Sequence, residues 1–320
     1  MEKFILKVLV SLSGGIFGTF SLFILVSVIL ESWMTSAPAF PRNWQIPQFG
    51  FPFEEVVFTS QDGIALRGWL FPPLNPDGPV VIYAHGSGKD LREGLPFVPL
   101  LREAGFGILL FSYRNHGFSH RFLKGHTYGL KESEDLEAAV HFLKERGYKS
   151  IAVIGYSLGA ASAVMTAARS QDIKAVVAVA PFASVTDLWF SNSPPFIPRP
   201  FLYITMWLTE KRKGIKFSAI SPVEAIRKIT PRPILLIQGA KDSYISPEQT
   251  WKLFEAAGEG ATLLLIEEAD HKSVLLPGIV KYWRFVLNFL KKALATSTTP
   301  GVHQIPQTIS QEIEPEYGQK

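Results

Sequence analysis

Residues 151–164 read Ile151-Ala152-Val153-Ile154-Gly155-Tyr156-Ser157-Leu158-Gly159-Ala160-Ala161-Ser162-Ala163-Val164. The opening apolar run, rich in β-branched residues, predicts a strand buried on both faces of a parallel sheet. The small residues after Gly159 predict a helix that can pack closely on that sheet. Between strand and helix lies a Gly-x-Ser-x-Gly turn, whose two glycines permit a strained turn that lifts the Ser157 hydroxyl above the sheet edge. The plainer alternative is that Ser157 only caps the helix.

Working outward, short apolar runs alternate with helical patterns. Glu54 to Thr59 and Ile64 to Phe71, joined through Gln61-Asp62-Gly63, predict a hairpin with its turn at Asp-Gly. Further strands are expected at Val80 to Ala84, Gly107 to Ser112, Ser150 to Ile154, Ala175 to Ala180, Ile234 to Gln238 and Thr262 to Ile266. Helical patterns over about 96–104, 131–146, 158–169, 247–257 and 274–294 separate most of them. Strand and helix in alternation mean an α/β fold with a mostly parallel, doubly wound sheet. Leu188 to Pro222 breaks the rhythm between the sixth and seventh strands; rich in proline and aromatics, it cannot be one crossover helix.

A serine hydroxyl becomes nucleophilic when a base takes its proton and a third group fixes that base's tautomer. Loops at the carboxyl ends of later strands are the expected source of both. The seventh strand runs into Gly239-Ala240-Lys241-Asp242 and the eighth into Glu267-Glu268-Ala269-Asp270-His271. Of seven histidines, His271 alone lies in a loop between the final strand and the final helix. The order Ser157, Asp242, His271 follows, with Asp270 and Asp187 as rival acids. The Leu158 N–H, at the helix start, would be one oxyanion donor and the Ser87 N–H, in Tyr83-Ala84-His85-Gly86-Ser87-Gly88, the second. That loop lacks the preceding glycine of a phosphate-binding loop.

These segments together resemble the α/β-hydrolase superfamily. Ser112-Tyr113-Arg114-Asn115-His116-Gly117-Phe118-Ser119 and Ser221-Pro222-Val223-Glu224-Ala225-Ile226 are similar to stretches of its membrane-associated serine hydrolases. The likeness covers about residues 53–294; it departs at Asn115, where the family pattern has glycine, and at Ser87, where relatives often carry asparagine. It implies hydrolysis of an ester, thioester or amide through an acyl-enzyme, without metal or cofactor, and favours a lipid-like carboxylic ester. Arg114 reads as a buried structural charge. A catalytically silent, membrane-tethered scaffold and an acyltransferase using the same residues are the alternatives.

The chain has 320 residues, 47% apolar and 19% charged, with a formal net charge of +4. So thin a basic excess, spread along the chain, excludes a nucleic-acid binder. With no cysteine, disulfides and thiolate nucleophiles are excluded. Val8 to Leu30 carries no charge and as a helix reaches roughly 34 Å, enough to span a bilayer. A cleaved signal peptide is the alternative. Lys3 and Lys7 before the run place the N-terminus in the cytoplasm and the catalytic domain outside it. The expected organisation is an anchor at 1–30, a stalk at 31–52, a hydrolase domain at 53–295 with its cap at about 188–222, and a disordered tail at 296–320. The basic cluster Lys211, Arg212, Lys213 and Lys216 in the cap is expected to be a solvated face.

Overall fold

Eight strands form one sheet in the order β1-β2-β4-β3-β5-β6-β7-β8. The computed structural model describes residues 50–120, 125–193, 195, 197–275 and 281–295, with 18, 21–29, 31, 32 and 35 ahead of them. The strands are β1 (Glu54–Thr59), β2 (Ala65–Phe71), β3 (Val80–Ala84), β4 (Gly107–Ser112), β5 (Ile151–Tyr156), β6 (Ile173–Val179), β7 (Ile234–Gly239) and β8 (Ala261–Ile266). β1 runs antiparallel to β2 and β2 antiparallel to β4, while the other neighbours are parallel. Gly63 turns the hairpin with φ +84, and its N–H donates to the Ser60 carbonyl.

β3, β4, β5 and β7 are buried along their whole length, the pattern expected of strands covered on both faces. Helices α1 (Phe97–Glu103), α2 (Leu130–Glu145), α3 (Leu158–Arg169), α4 (Val185–Asn192), α5 (Arg199–Lys213), α6 (Pro222–Ile226), α7 (Pro247–Ala257) and α8 (Trp283–Ala295) supply the cover. One core layer joins Leu136, Val140 and Leu143 of α2, Val164 of α3 and Leu253 of α7 to the sheet. The opposite layer uses Phe97 and Leu101 of α1 with Trp283, Val286 and Leu290 of α8. A third cluster, with Leu188, Met206, Phe217 and Ile245, lies under the cap.

The cap is helical, and it begins three residues earlier than the sequence pattern implies, at Val185 on α4. The last α-helix runs from Trp283 to Ala295; of the expected helical stretch before it, Val274 and Leu275 are helical and residues 276–280 lie outside those described. The tail at 296–320 is also outside them. Of Val8 to Leu30, Gly18 and residues 21–29 are described, and they are helical. Among the described residues no helix is long and apolar enough to cross a membrane.

Helical residues continue past the expected anchor end to Glu31, Ser32 and Thr35, and they pack on the cap. Phe23 meets Phe201 edge-on at 4.9 Å, and Ser27 and Thr205 share a hydrogen bond of 3.2 Å. The Lys213 ammonium lies 3.0 Å from the Glu31 carboxylate, and Arg212 pairs with the same carboxylate. This corrects the solvated-face reading for Arg212 and Lys213, while Lys211 and Lys216 are exposed: Glu31 and Lys213 are both buried, and a buried carboxylate needs such a partner.

Arg114 is another buried cation. It donates to Asp135 of α2, to Asp62 of the hairpin turn and to the Ser60 hydroxyl. Burial pushes the Asp135 carboxyl up to about 6 even against the pull of Arg114. Removing one partner of such a pair leaves an uncompensated charge in low dielectric. Asp135→Ala should therefore lower unfolding free energy by about 3 kcal/mol or more in urea titrations. Glu54→Ala, which breaks the exposed pair with Arg146, should cost less than about 1 kcal/mol.

Candidate active site

Parallel strands β3 and β5 lie side by side at the centre of the sheet, with Ala84 opposite Gly155. The connections diverge there: β3 leads to β4 on one side, while β5 leads to β6 on the other. At such a switch point the loops leaving the carboxyl ends of the strands open a crevice. The loop after β3 carries Ser87 and the turn after β5 carries Ser157.

Ser157 has φ 52 and ψ −113, a conformation that L-residues rarely adopt. Its N–H donates to the Val179 carbonyl at 2.8 Å, and its own carbonyl accepts from Ala161 in the first turn of α3. Both flanking glycines are sterically required. A Cβ on Gly159 would lie 1.9 Å from the Ala84 carbonyl oxygen, and one on Gly155 would lie 2.4 Å from the Gly159 carbonyl oxygen. The turn therefore presses the start of α3 against the end of β3.

Asp242 follows β7 and is almost fully buried. Its Oδ1 accepts the N–H groups of Tyr244 and Ile245 at 2.9 and 2.8 Å. Its Oδ2 lies 2.7 Å from Nδ1 of His271 and also accepts the Gln238 side-chain amide at 3.2 Å. A carboxylate oxygen in this contact accepts, so the neutral His271 ring carries its hydrogen on Nδ1 and leaves the Nε2 lone pair open. The Tyr156 hydroxyl donates to the His271 carbonyl at 2.6 Å, tying the histidine loop to the strand that delivers Ser157.

The two rival acids are occupied elsewhere. Asp270 is exposed and accepts from Lys272 N–H, Ser273 N–H and the Ser273 hydroxyl, capping the turn after it. Asp187 lies in the first turn of α4 and pairs with Lys252.

Ser87 and Leu158 line one pocket with Ser157. His126 and Tyr128 enter it from the segment before α2, and Phe182, Leu188, Tyr244 and Ile245 give it apolar walls. Leu158 is the first residue of α3, where an N–H has no intrahelical acceptor. Among the described residues no backbone carbonyl accepts the Ser87 N–H either. The loop is fixed from beneath: Gly86 N–H donates to the Glu93 carboxylate at 2.7 Å, and Tyr113 N–H donates to His85 Nε2 at 3.2 Å. Burial pushes the Glu93 carboxyl up to about 7.

Asn115, at the position where the superfamily pattern has glycine, takes φ 66. Asparagine tolerates this left-handed conformation better than most residues. Its side-chain amide also donates to the Gly125 carbonyl at 2.8 Å.

The sequence pattern of the prolyl oligopeptidase family matches residues 97–297, more than half of the chain. The chain belongs to the prolyl oligopeptidase family. Similar proteins include the uncharacterized protein YfhR of Escherichia coli K12, 28% identical over 227 residues that cover 68% of this chain and 73% of YfhR. Protein bem46 of Schizosaccharomyces pombe is 28% identical over 218 residues, 66% of this chain and 68% of bem46. Among solved structures, the esterase Pf2001 of Pyrococcus furiosus superposes with a TM-score of 0.66 at 26% identity, over 82% of this chain and 98% of the esterase. An acylaminoacyl peptidase of Pyrococcus horikoshii shares the fold, with a TM-score of 0.63 at 18% identity over 79% of this chain and 43% of the peptidase. This prolyl oligopeptidase family member thus has the α/β-hydrolase fold, and its family together with its likeness to the Pyrococcus furiosus esterase supports hydrolase activity.

Sequence reasoning missed His126, Tyr156, Gln238 and Tyr244. It also missed the tilted packing of the His85, His116 and Tyr113 rings, with the His85 ring centroid 4.9 Å from His116 and 4.7 Å from Tyr113. Desolvation, then the neighbouring His116, lowers His85 to about 3. The unfolded chain binds a proton at His85 below its ordinary value of about 6.5, whereas the folded chain does not. Its contribution to stability is therefore complete above that pH and is lost as the pH falls. Between pH 6.5 and 5 the wild type should lose about 2 kcal/mol through this residue, and His85→Gln should show a correspondingly shallower fall in urea midpoint.

Proposed function

We propose that this protein is a serine hydrolase that cleaves a carboxylic ester through an acyl-enzyme. The observation that carries the reading is the 2.7 Å contact of His271 Nδ1 with the buried Asp242 carboxylate, in a chain that also strains Ser157 above the same end of the sheet. In this reading His271 Nε2 takes the Ser157 hydroxyl proton as Oγ bonds to the substrate carbonyl carbon. The N–H groups of Leu158 and Ser87 receive the developing oxyanion. Collapse of the tetrahedral intermediate expels the alcohol, which takes the proton from His271. Water then repeats the sequence and frees the acid.

An ester is favoured over a peptide by the likeness to the Pyrococcus furiosus esterase. The apolar pocket walls suit an acyl group. A lipid-like substrate and a membrane location belong to the same proposal. Leu22, Leu25, Val26 and Ile29 on the N-terminal helical residues, and Phe201, Tyr203 and Trp207 on α5, are all exposed. Exposed apolar side chains in such number support a lipid-facing surface. In this reading Val8 to Leu30 is an uncleaved anchor, with the N-terminus cytoplasmic and the catalytic domain outside.

Initial rates on a panel of p-nitrophenyl esters of rising chain length test the reading. The wild type should turn over members of the panel and Ser157→Ala should not. Asp242→Asn should lower kcat by about 10⁴ through loss of the imidazole's tautomer partner. Asp270→Asn should stay within about threefold of wild type, because its side chain only caps a surface turn. Reversal of that ranking would move the acid to Asp270.

A further inference from the structure

The segment Gly125–Gly129 enters the pocket from outside the elements that carry Ser157, Asp242 and His271, and it is held more rigidly than a connecting loop requires. Tyr128 has φ 55, an uncommon conformation for an aromatic residue, and this turns its N–H back onto Nδ1 of His126 at 3.2 Å. The Glu132 carboxylate accepts from Thr127 N–H, the Thr127 hydroxyl and Gly129 N–H. His126 is gripped on both backbone atoms as well: its N–H donates to the Thr35 carbonyl at 3.0 Å, and its carbonyl accepts the Lys213 ammonium at 2.8 Å. Lys213 is the residue paired with Glu31.

The tautomer follows from these contacts. A backbone N–H can only donate, so Nδ1 of His126 is an acceptor and the neutral ring carries its proton on Nε2. That Nε2 lies 2.8 Å from the Ser87 hydroxyl oxygen. Nε2–H donates and Ser87 Oγ accepts, which leaves the hydroxyl proton of Ser87 to point elsewhere. Ser87 lines the same pocket as Ser157.

We propose that the Ser87 side chain, not only its backbone N–H, donates a hydrogen bond to the oxyanion formed at Ser157, with His126 as the positioning residue that orients the hydroxyl. The inference rests on the serine-hydrolase reading above and adds a third oxyanion donor to it. A donor aimed at charge that develops only in the transition state acts on kcat more than on KM. One of the two lone pairs of Ser87 Oγ is taken by His126 before substrate arrives, so the hydroxyl proton is directed away from that ring.

Steady-state kinetics on a p-nitrophenyl ester that the wild type hydrolyses provide the test. Ser87→Ala should lower kcat on the order of 10²-fold, the usual effect of removing one oxyanion donor, with KM within about threefold. His126→Phe keeps the ring but removes the Nε2 donor, and should lower kcat by about tenfold or more, whereas His126→Gln, which retains an N–H donor, should recover most of the loss. The double variant Ser87→Ala/His126→Phe should be no slower than Ser87→Ala alone, since the two side chains act through one hydrogen bond. A Ser87→Ala enzyme within twofold of wild-type kcat would overturn the proposal and leave the Ser157 reading intact, and so would multiplicative losses in the double variant. An ester turnover that survives in Ser157→Ala would overturn both.

Discussion

The start of α3 is driven against the end of β3 so closely that no side-chain atom fits between them at Gly159. Much of the site's geometry depends on that contact. It forces the chain to reverse within one residue after β5, which puts Ser157 at φ 52, and it points the first N–H groups of α3 toward the loop after β3. If the helix stood off by the width of a methyl group, Leu158 and Ser87 would no longer share a pocket with the serine. Backbone strain of order 1–3 kcal/mol persists only where the surroundings over-determine it. Here they do so through Val179 and Ala161, which bond both backbone atoms of Ser157.

Electrostatic order is built around the same point. A buried carboxylate is costly unless its lone pairs are filled, and those of Asp242 receive two backbone N–H groups, the Gln238 amide and the His271 ring. Gln238 is fixed in turn by the Thr250 hydroxyl, which donates to its carbonyl oxygen at 2.7 Å. The imidazole thus has one tautomer and one orientation without a moving part. On the opposite side of the pocket His126 is fixed as firmly, but through backbone bonds to the N-terminal helical residues and the cap. The cap and the helical residues that precede the hydrolase domain are therefore structurally continuous with the pocket.

Much of this was legible in the sequence where the signal is local. Continuous apolar runs marked the strands, Asp62-Gly63 marked the hairpin turn, and chain order pointed to Ser157, Asp242 and His271. What escaped was contact between distant segments. Lys213 lies 178 residues from Thr35, to which it donates, and within a run of basic residues nothing distinguishes a buried lysine from solvated ones. The contact of His126 with Ser87, 39 residues upstream, escaped because it joins separate loops and is set by a positive φ at Tyr128. Gln238 sat inside a strand pattern, where a lone polar residue gives no hint of the carboxylate it supports.

The central claim is that Ser157 is a nucleophile activated by its surroundings. Treatment of the full-length protein with a fluorophosphonate, followed by proteolysis and mass mapping of the adduct, tests it directly. A single phosphonylated peptide modified at Ser157, absent from Ser157→Ala, is the predicted result. An unmodified wild-type protein, or an adduct that persists on another residue when Ser157 is replaced, would contradict it.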